Sequence, residues 1–205
     1  CVGIQKNLFQ SYKELFLKFN LDPYFEIEVF SLARITQRDN QLKLILQVGR
    51  VNTFLIFLDG QIIQDVKLLE MGENDLNKTI MKDLNLSFEQ AEILKINYPK
   101  LIDHNRLGGK IMGEYVRDLD QKLAKAVSLH ILEFEKKLNA EVKEVIISGS
   151  TLSSKLKNII LTEFDAELKV EYVNEENFGD FVAENFLLDE LKRYAQCFGL
   201  ALRAK

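Results

Sequence analysis

The chain has 205 residues, 47% of them hydrophobic and 28% charged, with only two prolines. That balance excludes disorder and suffices for a sizeable core, arranged as one large domain or two closely packed small ones. No run approaches the roughly 20 consecutive apolar residues of a membrane span, and a formal charge of −4 without a basic stripe argues against a nucleic-acid surface.

From Asn7 to Asn20, the residues Leu8, Tyr12, Leu15, Phe16 and Phe19 recur at helical spacing, which predicts an amphipathic helix ending before the Asp22-Pro23 breaker. Its apolar face needs a partner surface. A second apolar segment, Phe25 to Ile35, leads through a turn at Asp39-Asn40 to a strand, LKLIL, from Leu42. This strand runs into Gln47-Val48-Gly49-Arg50-Val51-Asn52-Thr53, then a second strand, FLIFL, and across Asp59-Gly60 a third. Asp-Gly between apolar runs is a strong hairpin signal. Gly72-Glu73-Asn74-Asp75 opens a short helix to about Leu84, capped by Asn74 or Asp75. Ser87-Phe88-Glu89-Gln90 is a capping box that starts the next helix, expected to end near Asn97 ahead of Pro99.

Residues 98–113, with Gly108-Gly109 and Gly113, are expected to form a loop or hinge. Val116, Leu119, Leu123, Val127, Ile131, Phe134 and Leu138 then give the longest helix one apolar stripe, from about Gly113 to Leu138, suited to packing on a sheet. Val142 to Ile147 reads as a strand, Ser148-Gly149-Ser150-Thr151 as a turn, Leu152 to Phe164 as a helix, and Leu168 to Tyr172 as a strand. Two helical pieces follow, Phe181 to Leu188 and Asp189 to about Leu202, the second ending in basic Arg203 and Lys205.

Two cysteines, Cys1 and Cys197, make no disulfide framework, and Cys197 is expected to be a small buried hydrophobe in a reducing compartment. His104 and His130 lack the spacing of a metal site and read as ordinary loop and helix residues. The start at Cys1, with no basic and long apolar region after it, reads as a cut or a first position rather than a native start.

Three features carry chemistry. A strand, a short glycine turn and a strand point backbone N–H groups outward, a geometry that cradles anions, so the turn from Gly49 through Asn52 to Thr53 is a candidate phosphate site. An acidic residue at its start would hold a hydrated Mg²⁺, but Gln47 stands there. The turn at Gly149, Ser150 and Thr151 opens a helix whose N–H groups could meet an anion or a nucleotide sugar. Glu92 and Lys95, three apart on one helix, share a face, either as a solvated ion pair or as a grip on ribose hydroxyls.

In this order the segments resemble the carboxy-terminal half of PilM, the actin-like component of type IV pilus assembly, in the wider fold family of FtsA and actin. Ser11 to Leu15 and Glu26 to Arg34 are similar to the helix and "IEPFALAR" stretch before the family's second lobe. Gly49 and Thr53 match its "DIGxxxT" loop, and Gly72 the first glycine of the following pair. Ser87 to Lys95 is similar to "SFEEAEELK", Ile146 to Gly149 to "LSGG", and Tyr194 to Arg203 to "YAVALGLALR".

The resemblance implies an α/β, ribonuclease H-like second lobe of an actin-like fold, with a mixed β-sheet flanked by helices. Residues 1–40 would return from a missing first lobe, and residues 41–205 would form the second, with its smaller subdomain at roughly 76–140. Gly49, Asn52, Thr53, Glu92, Lys95, Gly149, Ser150 and Thr151 are then the positions that would face ATP and Mg²⁺. Gln47, Glu73 and Ser150 replace the motif aspartate and two glycines, and Lys67 an arginine. The expectation is therefore a pseudo-ATPase with no bound cofactor and no catalytic or metal-binding residue.

The implied role is a cytoplasmic scaffold of a type IV pilus, type II secretion or pilus-derived flagellar-motor machine. It would sit at the inner membrane through PilN-like and PilO-like partners, with a homo-oligomeric ring as one arrangement. The alternative is an ATP-binding or weakly hydrolysing pilus ATPase seen as a fragment. A membrane-associated filament protein of FtsA type ranks third, because an amphipathic anchor helix is not expected after Leu202.

Overall fold

The computed structural model describes residues 4–36, 40–60, 62–103, 107–149, 155–164, 168–174, 176–178 and 188–204. Cys1, Asp39, His104, Ser150, Thr151, Lys205 and most of the expected helix over 181–188 lie outside the described residues.

A five-stranded sheet organises the chain, formed by β1 (Leu42–Val48), β2 (Thr53–Asp59), β3 (Ile62–Leu69), β4 (Val142–Gly149) and β5 (Lys169–Tyr172) in the order β3-β2-β1-β4-β5. The first three strands form an antiparallel meander, while β1, β4 and β5 run parallel. The central strands β1 and β4 are buried on both faces over most of their length, as in a strand covered from both sides, although Lys43, Gln47 and Ser148 are polar residues on one of those faces. Edge strand β3 has no buried residue. Gln64 is an extra residue in β3, since Phe57 pairs with Asp65 and Leu58 with Ile63, a bulge that kinks the edge.

One face of the sheet carries the larger core. Leu44, Leu46, Val48, Leu55, Phe57, Val145 and Ile147 meet α3 (Glu73–Leu84), α4 (Phe88–Asp103), α5 (Leu107–Leu138) and α6 (Leu156–Thr162). The expected stripe of α5 lies on the sheet from Val116 to Phe134, with Phe134 stacked on Phe57 at 4.2 Å between ring centroids. On the other face Ile45, Ile56, Leu58 and Ile146 meet α2 (Glu28–Ala33), α7 (Leu188–Arg193) and α8 (Ala195–Ala201). Arg34 pairs with Glu26 and donates to the Gly199 carbonyl at 3.2 Å, and Arg203 bonds Glu26 at 2.8 Å, tying the end of the chain to residues 26–34.

Helix α1 (Lys6–Leu17) forms where the spacing predicts it and buries no residue. Leu8, Tyr12, Leu15, Phe16 and Phe19 are exposed, and Phe9 and Phe16 meet Phe25 at 4.9 and 6.4 Å between ring centroids.

Five sequence expectations are corrected. Helix α4 continues through Pro99 to Asp103, because a proline inside a helix removes a single N–H and the remaining turns keep their ladder. The expected hinge is helical from Leu107, and Gly113 sits where α5 passes close to the Tyr98 hydroxyl on α4. The N-cap of α3 is Gly72 rather than Asn74 or Asp75, although the Asp75 carboxylate accepts the Gly72 N–H at 2.8 Å. Cys197 is exposed, since α8 turns Ala195 and Gly199 inward and residue 197 falls on the opposite side. The chain also breaks at Tyr194, so one expected helix is two short ones. Among the described residues no helix is long and apolar enough to cross a membrane.

Candidate functional site

The carboxyl ends of β1 and β4 lie side by side, with Val48 paired to Gly149, and the loops leaving this end of an α/β sheet are where ligands bind. Gly49 donates its N–H to the Asn52 carbonyl at 3.0 Å, which closes the β1–β2 turn. The turn is stitched to α3: the Glu73 N–H donates to the Gly49 carbonyl at 3.1 Å and the Asn74 N–H to that of Arg50 at 2.8 Å. The Thr53 hydroxyl is buried and donates to the Met71 carbonyl at 2.7 Å, which fastens β2 to the approach to α3. Gly149 adopts φ +94°, a conformation that disfavours a side chain, and a Cβ there would strike the Val48 carbonyl.

Gln47 is 4% exposed and lies on the face of β1 toward α8. Its Nε2 donates to Gln196 Oε1 at 3.3 Å, and its own Oε1 has no hydrogen-bond partner among the described residues. A neutral amide therefore stands near the carboxyl end of β1, where the resemblance leads one to expect a carboxylate.

Glu92 and Lys95 do not form a solvated pair. Lys95 is 4% exposed, and its Nζ lies 2.8 Å from Glu92 Oε2 and 3.5 Å from Glu73 Oε2. Asn77, fully buried one turn after Glu73, donates to the same Glu92 oxygen at 2.6 Å. Burial raises the Glu92 carboxyl, but hydrogen bonds from Lys95 and Asn77 and the charges of Lys95 and Arg50 outweigh it and hold Glu92 below its ordinary value. Glu73 Oε1 and Asn77 Oδ1 make no hydrogen bond among the described residues. Arg50 closes the outer side, its Nε donating to Asn74 Oδ1 at 3.3 Å and its guanidinium 5.7 Å from the Phe88 ring centroid.

The structure thus brings Gly49, Asn52 and Thr53 to the start of α3, and through Glu73 to Glu92 and Lys95. Asn77 and Gln196 were not singled out from the sequence. The one available signal for Asn77 was its place four residues after Glu73, on the same helical face.

Three of the described residues, Lys95, Glu73 and Gln47, weigh against a nucleotide with its magnesium ion. A hydroxyl or phosphate oxygen approaching Lys95 would have to displace a carboxylate, and phosphate would meet the Glu73 charge. Gln47 offers an amide where a carboxylate would hold a hydrated cation.

No family model matches the chain, and no curated protein matches it by sequence. Solved structures do match by shape. A chain of the PilM–PilN type IV pilus biogenesis complex superposes with a TM-score of 0.67 at 20% identity, over 88% of this chain and 52% of that one. The fold is actin-like. MreB5 of Spiroplasma citri bound to ADP gives a TM-score of 0.62 at 14% identity, over 98% of this chain and 65% of that one. The archaeal actin homolog Ta0583 in complex with ADP gives 0.56 at 15% identity, over 86% and 56%. The chain spans about half to two thirds of the length of these actin-like structures.

Proposed function

We propose that the chain is the second lobe of a PilM-like, non-catalytic scaffold that works by docking at an envelope-spanning machine. The observation that carries this reading is the closed polar cluster in which Glu73 and Glu92 hold Lys95. Phosphoryl transfer rests on positioning and on electrostatic stabilisation by a metal ion and cations. Here the cation is neutralised internally and the position of the metal-facing acid is an amide.

The likeness to a PilM–PilN complex supports a PilN-like, inner-membrane partner and a cytoplasmic location beside that membrane. A first lobe of the actin-like fold would cover the apolar face of α1, where Leu8, Tyr12, Leu15 and Phe16 are exposed. An immobilised cytoplasmic tail of a candidate PilN-like protein should retain the chain without nucleotide. Failure of every candidate tail, together with measurable ATP turnover, would overturn the proposal.

A second reading, a nucleotide-binding actin-like protein whose first lobe supplies the other phosphate hairpin, is favoured by the two neighbours solved with ADP. It requires Glu73 to leave Lys95 when nucleotide arrives.

A further inference from the structure

Strand β3 is an edge of the sheet, and among the described residues no strand pairs with its outer side. It is eight residues long, and Ile62 and Leu68 are 68% and 52% exposed. An edge with exposed apolar side chains is a template for another strand. The charges on β3 decide which strand fits. Asp65 and Lys67 share one face, 3.5 Å apart, with Lys137 of α5 a further 3.8 Å from Asp65.

Consider two copies of β3 side by side, antiparallel, about a two-fold axis perpendicular to the sheet. Residues opposite one another then lie on the same face, so the helical layers of both copies continue across the joint. A register centred on Asp65 sets two carboxylates face to face, and one centred on Lys67 sets two ammonium groups. The register centred on Val66 places Asp65 of each copy opposite Lys67 of the other and Val66 opposite itself, which makes two reciprocal ion pairs on one face of the joint and an apolar contact on the other. Pairing would end at the Gln64 bulge, which keeps the contact short.

We infer that β3 is a self-complementary edge through which two copies of this chain join into a closed, two-fold dimer with Val66 on the axis. The contact is small, so the dimer is weak and depends on concentration. This inference is independent of whether nucleotide binds.

Sedimentation velocity over a concentration series should show a monomer–dimer equilibrium. Lys67→Asp should weaken it about tenfold by turning both ion pairs repulsive, and the double variant Asp65→Lys with Lys67→Asp should restore it. In a background with Cys1→Ser and Cys197→Ser, Val66→Cys should form a disulfide-linked dimer under mild oxidation, because directly opposed residues in such a pair lie within disulfide reach. Leu8→Cys in the same background, on the exposed face of α1, should not. A monomer at every concentration, a dimer indifferent to Lys67→Asp, or efficient cross-linking through position 8 instead of 66 would overturn the inference. The last result would mark α1 as the surface that meets a partner.

Discussion

Glu73, in the first turn of α3, and Lys95, in the middle of α4, meet at 3.5 Å with both side chains almost fully removed from solvent. Glu92 holds the same ammonium at 2.8 Å, so two carboxylates share one cation. The asymmetry of that trio makes a stability prediction. Glu73→Gln leaves Lys95 its Glu92 partner and should cost about 1 kcal/mol. Lys95→Met leaves two carboxylates facing each other in a buried place and should cost about 3 kcal/mol or more. Urea unfolding of both variants checks the order, and a larger loss from Glu73→Gln would contradict the assigned geometry.

Acid should expose the same cluster. The Glu92 carboxyl is held below its ordinary value of 4.5 in the folded chain, so its stabilising contribution is complete above that value. It is lost as pH falls through the lower folded value. Glu92→Gln should therefore flatten the acid limb of a stability profile measured below pH 4.5 and lower the plateau near neutrality. A variant whose acid limb keeps the slope of the parent would show that Glu92 is not paired as described.

A purely steric prediction concerns the second core. A Cβ on Gly199 would lie 1.9 Å from the Ser31 carbonyl, so α2 and α8 can only touch as they do if residue 199 has no side chain. Gly199→Ala should destabilise by about 1–3 kcal/mol, as overpacking does. Leu200→Ala, at a partly exposed neighbour on the same helix, should stay within about 1 kcal/mol of the parent. Thermal melts of the two variants separate these cases.

Much of this architecture was legible because its signals are local. The period of α1 and α5, the Asp59-Gly60 hairpin and the capping box at Ser87 act within a few residues. In the structure the Ser87 N–H donates to Gln90 at 2.8 Å and the Gln90 N–H to Ser87 at 3.3 Å. What escaped depends on tertiary contact. Pro99 and Gly108 punctuate a chain read alone, yet packing of α4 and α5 on the sheet overrides both. The direction in which Cys197 points is set by which face of α8 meets Ser31. In the site, the substitution at Glu73 was readable as a side chain in place of a glycine. Its contact with Lys95 was not, since the partners are 22 residues apart on different helices.

Nucleotide is the ligand that separates a scaffold from an ATPase most directly. Melting temperature and inorganic phosphate release should be measured across a titration of ATP with excess Mg²⁺, using the unmodified chain. No shift and no turnover are expected, because Lys95 is occupied by Glu73 and Glu92 and the Gln47 amide brings no negative charge to a metal ion. A saturable stabilisation, which reaches about 2.7 kcal/mol at a hundredfold the dissociation constant, or steady phosphate release, would contradict the claim that this actin-like lobe is a scaffold.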